Sequence, residues 1–140
     1  MKNISSRKQC FIRYNWPGIL WGIIIFILIG IPGNYLPKTY NFWECLSPDK
    51  IVHTLIFGGQ SFFILYGLYK QYQLIKLRLS HIILSFGITT AYGGATEFFQ
   101  RHVFIGRNGC LFDLIANILG AIVGCAAFYL ILELRKKFVN

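Results

Sequence analysis

The stretch "LFDLIANILGAIVGCAAFYLIL", residues 111–132, decides the fold. After Asp113 it carries no charge, and at about 1.5 Å per residue it is long enough to cross the roughly 30 Å hydrocarbon core of a bilayer. Its polar and small residues are ordered: Asp113, Asn117, Gly120 and Gly124 recur at i, i+4, i+7 and i+11. That spacing puts them on one face of a helix. The stretch therefore reads as a membrane helix with one face turned to protein. A charge at mid-bilayer is unfavourable by about 2.5 to 3.5 kcal/mol, so Asp113 needs a neighbour or a function.

Outward from this segment, three further runs are nearly free of charge: residues 14–37, residues 51–69 with only His53, and residues 79–96 with only His81. With flanking polar turns, the four expected spans are about 14–37, 49–69, 79–100 and 111–133. Of the 140 residues, 55% are hydrophobic and 14% charged, which excludes an ordinary soluble domain. Four spans with short connections use up the length. The expected fold is all-α: a polytopic membrane protein, one transmembrane domain over residues 1–140, built as a four-helix bundle. The first span follows a basic leader, as a signal peptide would, but its apolar part is too long and "IPGNYLPK" (residues 31–38) offers no small-x-small cleavage site.

Short loops rich in Lys and Arg stay in the cytoplasm. Lys2, Arg7, Lys8, Arg13, Lys70, Lys76, Arg78, Arg135, Lys136 and Lys137 fall on one side of the expected bundle, against Lys38, Lys50, Arg101 and Arg107 on the other. Ten against four places both termini in the cytoplasm. The formal charge of +9 is then a topology signal that also favours anionic lipid head groups. The basic residues flank spans and form no separate module, so no nucleic-acid partner is expected. Trp16, Trp21, Tyr35, Tyr40, Trp43, Tyr66, Tyr69 and Tyr72 lie toward span ends and read as an interfacial aromatic belt.

Three spans carry polar stripes: Asp49, His53, Gln60 and Gly67 in the second; Gly93, Glu97 and Gln100 or Arg101 in the third; Asp113, Asn117, Gly120 and Gly124 in the fourth. With both termini inside, the polar ends of all three stripes meet at the outer membrane face. They form a cup. His53 lies about 6 Å inward of Asp49, and Asn117 about 6 Å inward of Asp113. Gln60 is deeper, where an interhelical hydrogen bond accounts for it, and Gly120 with Gly124 is a small-xxx-small pair for close helix approach. Ser47 can cap the second span with Pro48 first and Asp49 in the first turn, so Asp49 and Asp113 both have a purely structural reading beside the helix dipole. Glu97 sits at the dipole's unfavourable end, and it needs Arg101, Arg107 or a proton.

"DKIVH" (residues 49–53), "TEFFQ" (residues 96–100), Arg107, Asp113, Asn117, Gly120 and Gly124 together resemble the pattern of VanZ-like membrane proteins. The resemblance covers more than half of the chain, from Asp49 to Gly124. It implies a small, multi-pass protein of the bacterial inner membrane, related to one associated with low-level resistance to the glycopeptide teicoplanin, and it implies no known reaction. Carried over by position, its pattern falls on Asp49, Lys50, His53, Glu97, Gln100, Arg107, Asp113 and Asn117, with Arg101 added from spacing alone.

Three readings are open to this set. The leading one is a binding or accessory protein whose outward cup holds an anionic or lipid-linked envelope component through Asp49, Lys50, Gln100, Arg101, Arg107 and Asn117, the cations against a phosphate or carboxylate. Its rival is a membrane-embedded enzyme in which His53, Glu97 and Asp113 add acid-base groups. In the third, Glu97, Asp113 and Arg107 are an ion-pair network that fixes helix register. The expected partners are membrane lipids and a lipid-linked envelope precursor, with a homo-oligomer also open. No HExxH, Cys-x-x-Cys, glycine-rich phosphate loop or G-x-S-x-G elbow is present, so no metal and no cofactor is expected. A transport path would need dimerisation, and no inverted repeat is visible. Cys45 and Cys110 both fall in outward loops, where an oxidising compartment permits a disulfide between them.

Overall fold

The computed structural model describes residues 4–30, 48–72, 77–103 and 111–139, with the side chains of 4–10, 48, 49 and 139 left aside. These residues form four helices: α1 Ile4–Ile29, α2 Pro48–Gln71, α3 Leu79–His102 and α4 Leu111–Val139. Among the described residues there are no strands.

Each helix follows from local sequence. The first expected span, 14–37, begins late: α1 already starts at Ile4, because the basic stretch before Pro17 is made of residues that tolerate helix and contains no glycine. Pro17 lies inside α1 without ending it. Gly30 closes the helix through its N–H to Phe26 O at 3.0 Å. α2 takes Pro48 as its first helical residue, where the missing N–H costs nothing. α3 starts after Arg78, whose extended backbone carries no side-chain cap. α4 runs six residues past the expected end at 133, and Lys136 Nζ reaches back to Glu133 at 2.6 Å there.

α2 is the axis of the bundle. It packs most closely on α4, then on α1 and α3, whereas α1 and α3 scarcely touch. Contacts between α2 and α4 advance together along both chains (Thr54 with Ala116, Ser61 with Ala121), so these helices run parallel. α1 runs the other way, since Asn15 meets Gln71 at the end of α2 and Trp21 meets Ile56 in its first half, and so does α3, since Ser85 meets Ser61 and Gly93 lies beside Phe57. The seam between α2 and α4 depends on glycine. A Cβ on Gly124 would collide with Gly58 O and Ser61 Oγ, and one on Gly120 would collide with Thr54 O. That is the close approach the small-xxx-small pair predicts.

The apolar residues are largely turned outward. Ile12, Ile27, Leu55, Leu79, Ile83, Leu111, Val123 and Leu130 are among many large side chains left exposed. The buried face of α3 is Ser85, Thr89, Gly93, Thr96 and Gln100, all small or polar. Soluble monomers do not expose apolar surface on this scale. Three helical segments, Phe11–Ile29, Lys50–Gln71 and Leu111–Phe138, are long and apolar enough to cross a membrane. α3 is the least apolar of the four, because its inward face is given over to hydroxyls, glycine and amide.

Candidate functional site

The polar residues of α2, α3 and α4 gather at the end of the bundle where α2 and α4 begin and α3 finishes. Packing positions them. Thr54 Oγ1 bonds Ala116 O at 3.3 Å across the α2–α4 seam, and Ser85 Oγ bonds Ser61 O at 2.9 Å from α3 to α2. With the helices fixed this way, His53 and Asn117 face each other, and His53 Nδ1 lies 2.9 Å from Asn117 Oδ1. A carbonyl oxygen only accepts, so Nδ1 carries the hydrogen and, in the neutral ring, Nε2 is the basic nitrogen. The Phe57 ring is nearly parallel to the imidazole at 6.3 Å, one turn further into the bundle.

Gly93 completes this floor from α3. A Cβ there would come within 3.0 Å of Asn117 Cβ, 3.2 Å of Asn117 Nδ2 and 3.3 Å of Phe57 Cε1. The glycine lets α3 close on the pair. Asn117 is 1% exposed, and its Nδ2 has no hydrogen-bond acceptor among the described residues. A buried donor left so is unfavourable by about 1 to 3 kcal/mol. One turn outward on each helix stand Asp113, buried, and Glu97, half-buried, with Thr96 and Gln100 buried beside them on α3.

The sequence-predicted residues separate accordingly. His53, Glu97, Gln100, Asp113 and Asn117 come to one end on inward faces. Lys50 is half-buried, with Nζ 5.8 Å above the Phe112 ring, and Arg101 is exposed. Lys50, His53, Glu97, Gln100 and Asp113 are each engaged with a neighbouring group. Asp49 lies in the first turn of α2, but its side chain, Arg107, Cys45 and Cys110 lie outside the described residues. Cys125 is a buried free thiol. Among the described residues no three His, Cys, Asp or Glu side chains are grouped to hold a metal ion.

Gln60, expected to make an interhelical bond, donates from Nε2 to Gly18 O at 3.1 Å. Trp21 departs from the belt reading: its indole N–H donates to Ile56 O at 2.8 Å and its ring rests on Gly59, inside the α1–α2 seam. Sequence reading found Gly93 and Gln100 on the buried face of α3 but missed its continuation through Ser85 and Thr89. The signal was there, because Ser85, Thr89, Gly93, Thr96 and Gln100 recur at three- and four-residue steps through an apolar helix.

No protein-family model matches the chain, and no curated protein and no solved structure is significantly similar to it. The class of protein is defined by fold alone: an all-helical chain with three helices fit to cross a membrane and a buried polar cluster at one end.

Proposed function

We propose that the chain is a VanZ-like protein of the bacterial inner membrane, crossing it four times with both termini in the cytoplasm. In this reading α3 is the fourth crossing, its polar face hidden against α2 and α4. The cluster around His53 and Asn117 is an outward cup that binds the polar head of an anionic or lipid-linked envelope component, a role that would connect it to glycopeptide resistance. The observation that carries the reading is Asn117 Nδ2, a buried donor with no acceptor among the described residues, set among polar side chains from three helices. A phosphate or carboxylate oxygen supplies that acceptor, with Lys50 and, from the sequence pattern alone, Arg107 as the cations that balance its charge.

A second reading is supported by the His53–Asn117 bond itself. An imidazole held through Nδ1 with Nε2 basic is prepared for proton transfer, and Glu97 or Asp113 would be its acid-base partner. Lipid extraction and mass spectrometry of the purified protein test the binding reading. A defined amphiphile that stays with the wild type and is lost from Asn117→Ala is expected; an identical lipid profile in both would overturn it. His53→Asn then separates the two readings, since retained amphiphile with lost turnover points to the enzyme.

A further inference from the structure

A groove of about 840 Å³ lies between α1 and α3, but among the described residues no charged side chain lines it, so it carries no mark of what fills it. A smaller groove, of about 330 Å³, runs along the outer face of the α2–α4 seam and is marked. Its floor is Thr54 and Ala116, both small, where the two helices touch. Its walls are the larger Ile51 and Leu55 from α2 and Ile115 and Leu119 from α4, all exposed. Lys50 stands at one end, its ammonium 5.8 Å from the centre of the Phe112 ring on the opposite helix. The apolar segments of α2 and α4 begin at Lys50 and Leu111, so this end lies at the membrane boundary and the groove descends from it. From Phe112 to Leu119 it spans seven residues, about 10 Å, which stays within the ~15 Å of one leaflet.

The order of charged and apolar groups along the groove selects its occupant. Below the ammonium the lining makes no polar demand, because the Thr54 hydroxyl is turned into the seam, 2.9 Å from Lys50 O and 3.3 Å from Ala116 O. Among the described residues no carboxylate lines the groove, and Asp113 is buried on the inward face of α4. An anion is favoured at the boundary and hydrocarbon beneath it, which is the plan of one anionic lipid. An ammonium has three N–H donors, so a phosphate oxygen joins the neighbours Lys50 already has. A second copy of the chain suits the groove less well. A two-fold axis along the membrane normal brings residues of equal depth together and sets ammonium against ammonium. The choline of phosphatidylcholine likewise brings a positive charge to Lys50. We infer that the α2–α4 groove is a binding site for a phospholipid with a net negative head group, its phosphate on Lys50 and the upper part of one acyl chain between Leu55 and Ile115. The inference rests on α2 and α4 crossing the membrane and not on a ligand at His53 and Asn117, although the proposed function draws on the same Lys50.

The test is native mass spectrometry of the protein in detergent micelles, titrated with palmitoyl-oleoyl-phosphatidylglycerol or with the phosphatidylcholine of the same chains. Basic residues at the opposite end of the bundle, such as Lys70 and Lys136, also attract anionic lipid, so the groove is read as the difference between wild type and variants that leave them alone. Wild type is expected to bind phosphatidylglycerol at this site about fivefold more tightly than phosphatidylcholine, the factor that one basic residue provides at a membrane surface. Lys50→Gln should abolish that preference and Lys50→Arg should keep it. Ile115→Trp fills the groove and should remove one bound lipid per chain, with Leu119→Trp as the second variant if the first does not fold. Val123→Trp, exposed on α4 outside the groove, should bind as wild type does. Equal affinity of wild type for the two lipids, a preference that survives Lys50→Gln, or a full lipid complement in a folded groove variant overturns the inference. So does a wild-type dimer that Ile115→Trp separates. Loss of the phosphatidylglycerol site in His53→Ala with no loss in Ile115→Trp would give the lipid to the proposed head-group site and remove the groove. Loss in Ile115→Trp with none in His53→Ala supports the groove and leaves the proposed function to its own test.

Discussion

Replacing Gly124 by alanine is the smallest change that tests how the bundle is held together. The added Cβ would overlap Gly58 O, a backbone atom with no rotamer to escape into, and also Ser61 Oγ. α2 and α4 must therefore part. The strain of inserting a carbon into a full seam is about 1 to 3 kcal/mol. Parting also loosens two interhelical hydrogen bonds, Ser61 Oγ to Ala121 O at 3.0 Å and Thr54 Oγ1 to Ala116 O at 3.3 Å. Such bonds are worth about 0.6 kcal/mol each in a bilayer, so the expected loss is about 2 to 4 kcal/mol. Gly87 and Gly94 on α3 provide the control, because a Cβ at either would meet nothing within 4 Å. Alanine there should be neutral or gain up to about 1 kcal/mol from helix propensity. Unfolding titrations in mixed detergent micelles give the comparison. If Gly124→Ala is as stable as Gly87→Ala, the close α2–α4 contact is wrong, and with it the geometry that brings His53 to Asn117.

A double-mutant cycle on His53→Ala and Asn117→Ala should show coupling of about 0.6 kcal/mol and no more than about 1.7, while additive effects would deny the hydrogen bond. Trp21→Phe removes the N–H that Ile56 O accepts and should lower stability by about 0.6 to 1.7 kcal/mol in the same titration. The exposed Trp16→Phe should not, and equal behaviour of the two would return Trp21 to the lipid interface. Reporter fusions after Lys76 and Lys136 should report cytoplasm and one after Lys38 the outside; an outside report after Lys136 would mean an odd number of spans.

Much of the architecture was legible because apolar length is a one-dimensional signal. The start of α2 at Pro48 and its end at Gln71 lie close to the 49–69 expected from a charge-free run flanked by turn and basic residues. The Gly120 and Gly124 contact was legible for a related reason, since only small residues at helical spacing allow backbones so close. What periodicity does not give is the neighbour. His53 and Gln60 belong to one stripe seven residues apart, yet His53 bonds α4 and Gln60 bonds α1, because α2 is surrounded on several sides. Trp21 was misread for the same reason: a tryptophan near a span end suits the interface in sequence, and only packing reveals that Gly59 opposite leaves room for its ring. The groove between α1 and α3 was invisible, because it arises from two helices failing to meet.

In the proposed function the polar cluster is a working site and not a clasp that sets helix register. Glu97 lies near the C-terminal end of α3, where the helix dipole disfavours an anion, and Arg107 follows only ten residues on. The decisive measurement is amphiphile retention in Glu97→Gln combined with Arg107→Gln, read by mass spectrometry beside the unfolding midpoint of the same preparation. Removing both charges together avoids leaving one uncompensated, so folding should stay close to wild type. The double variant is expected to fold and to have lost the bound amphiphile. A folded double variant that retains the amphiphile at the wild-type level would contradict it and leave these two residues as structure only.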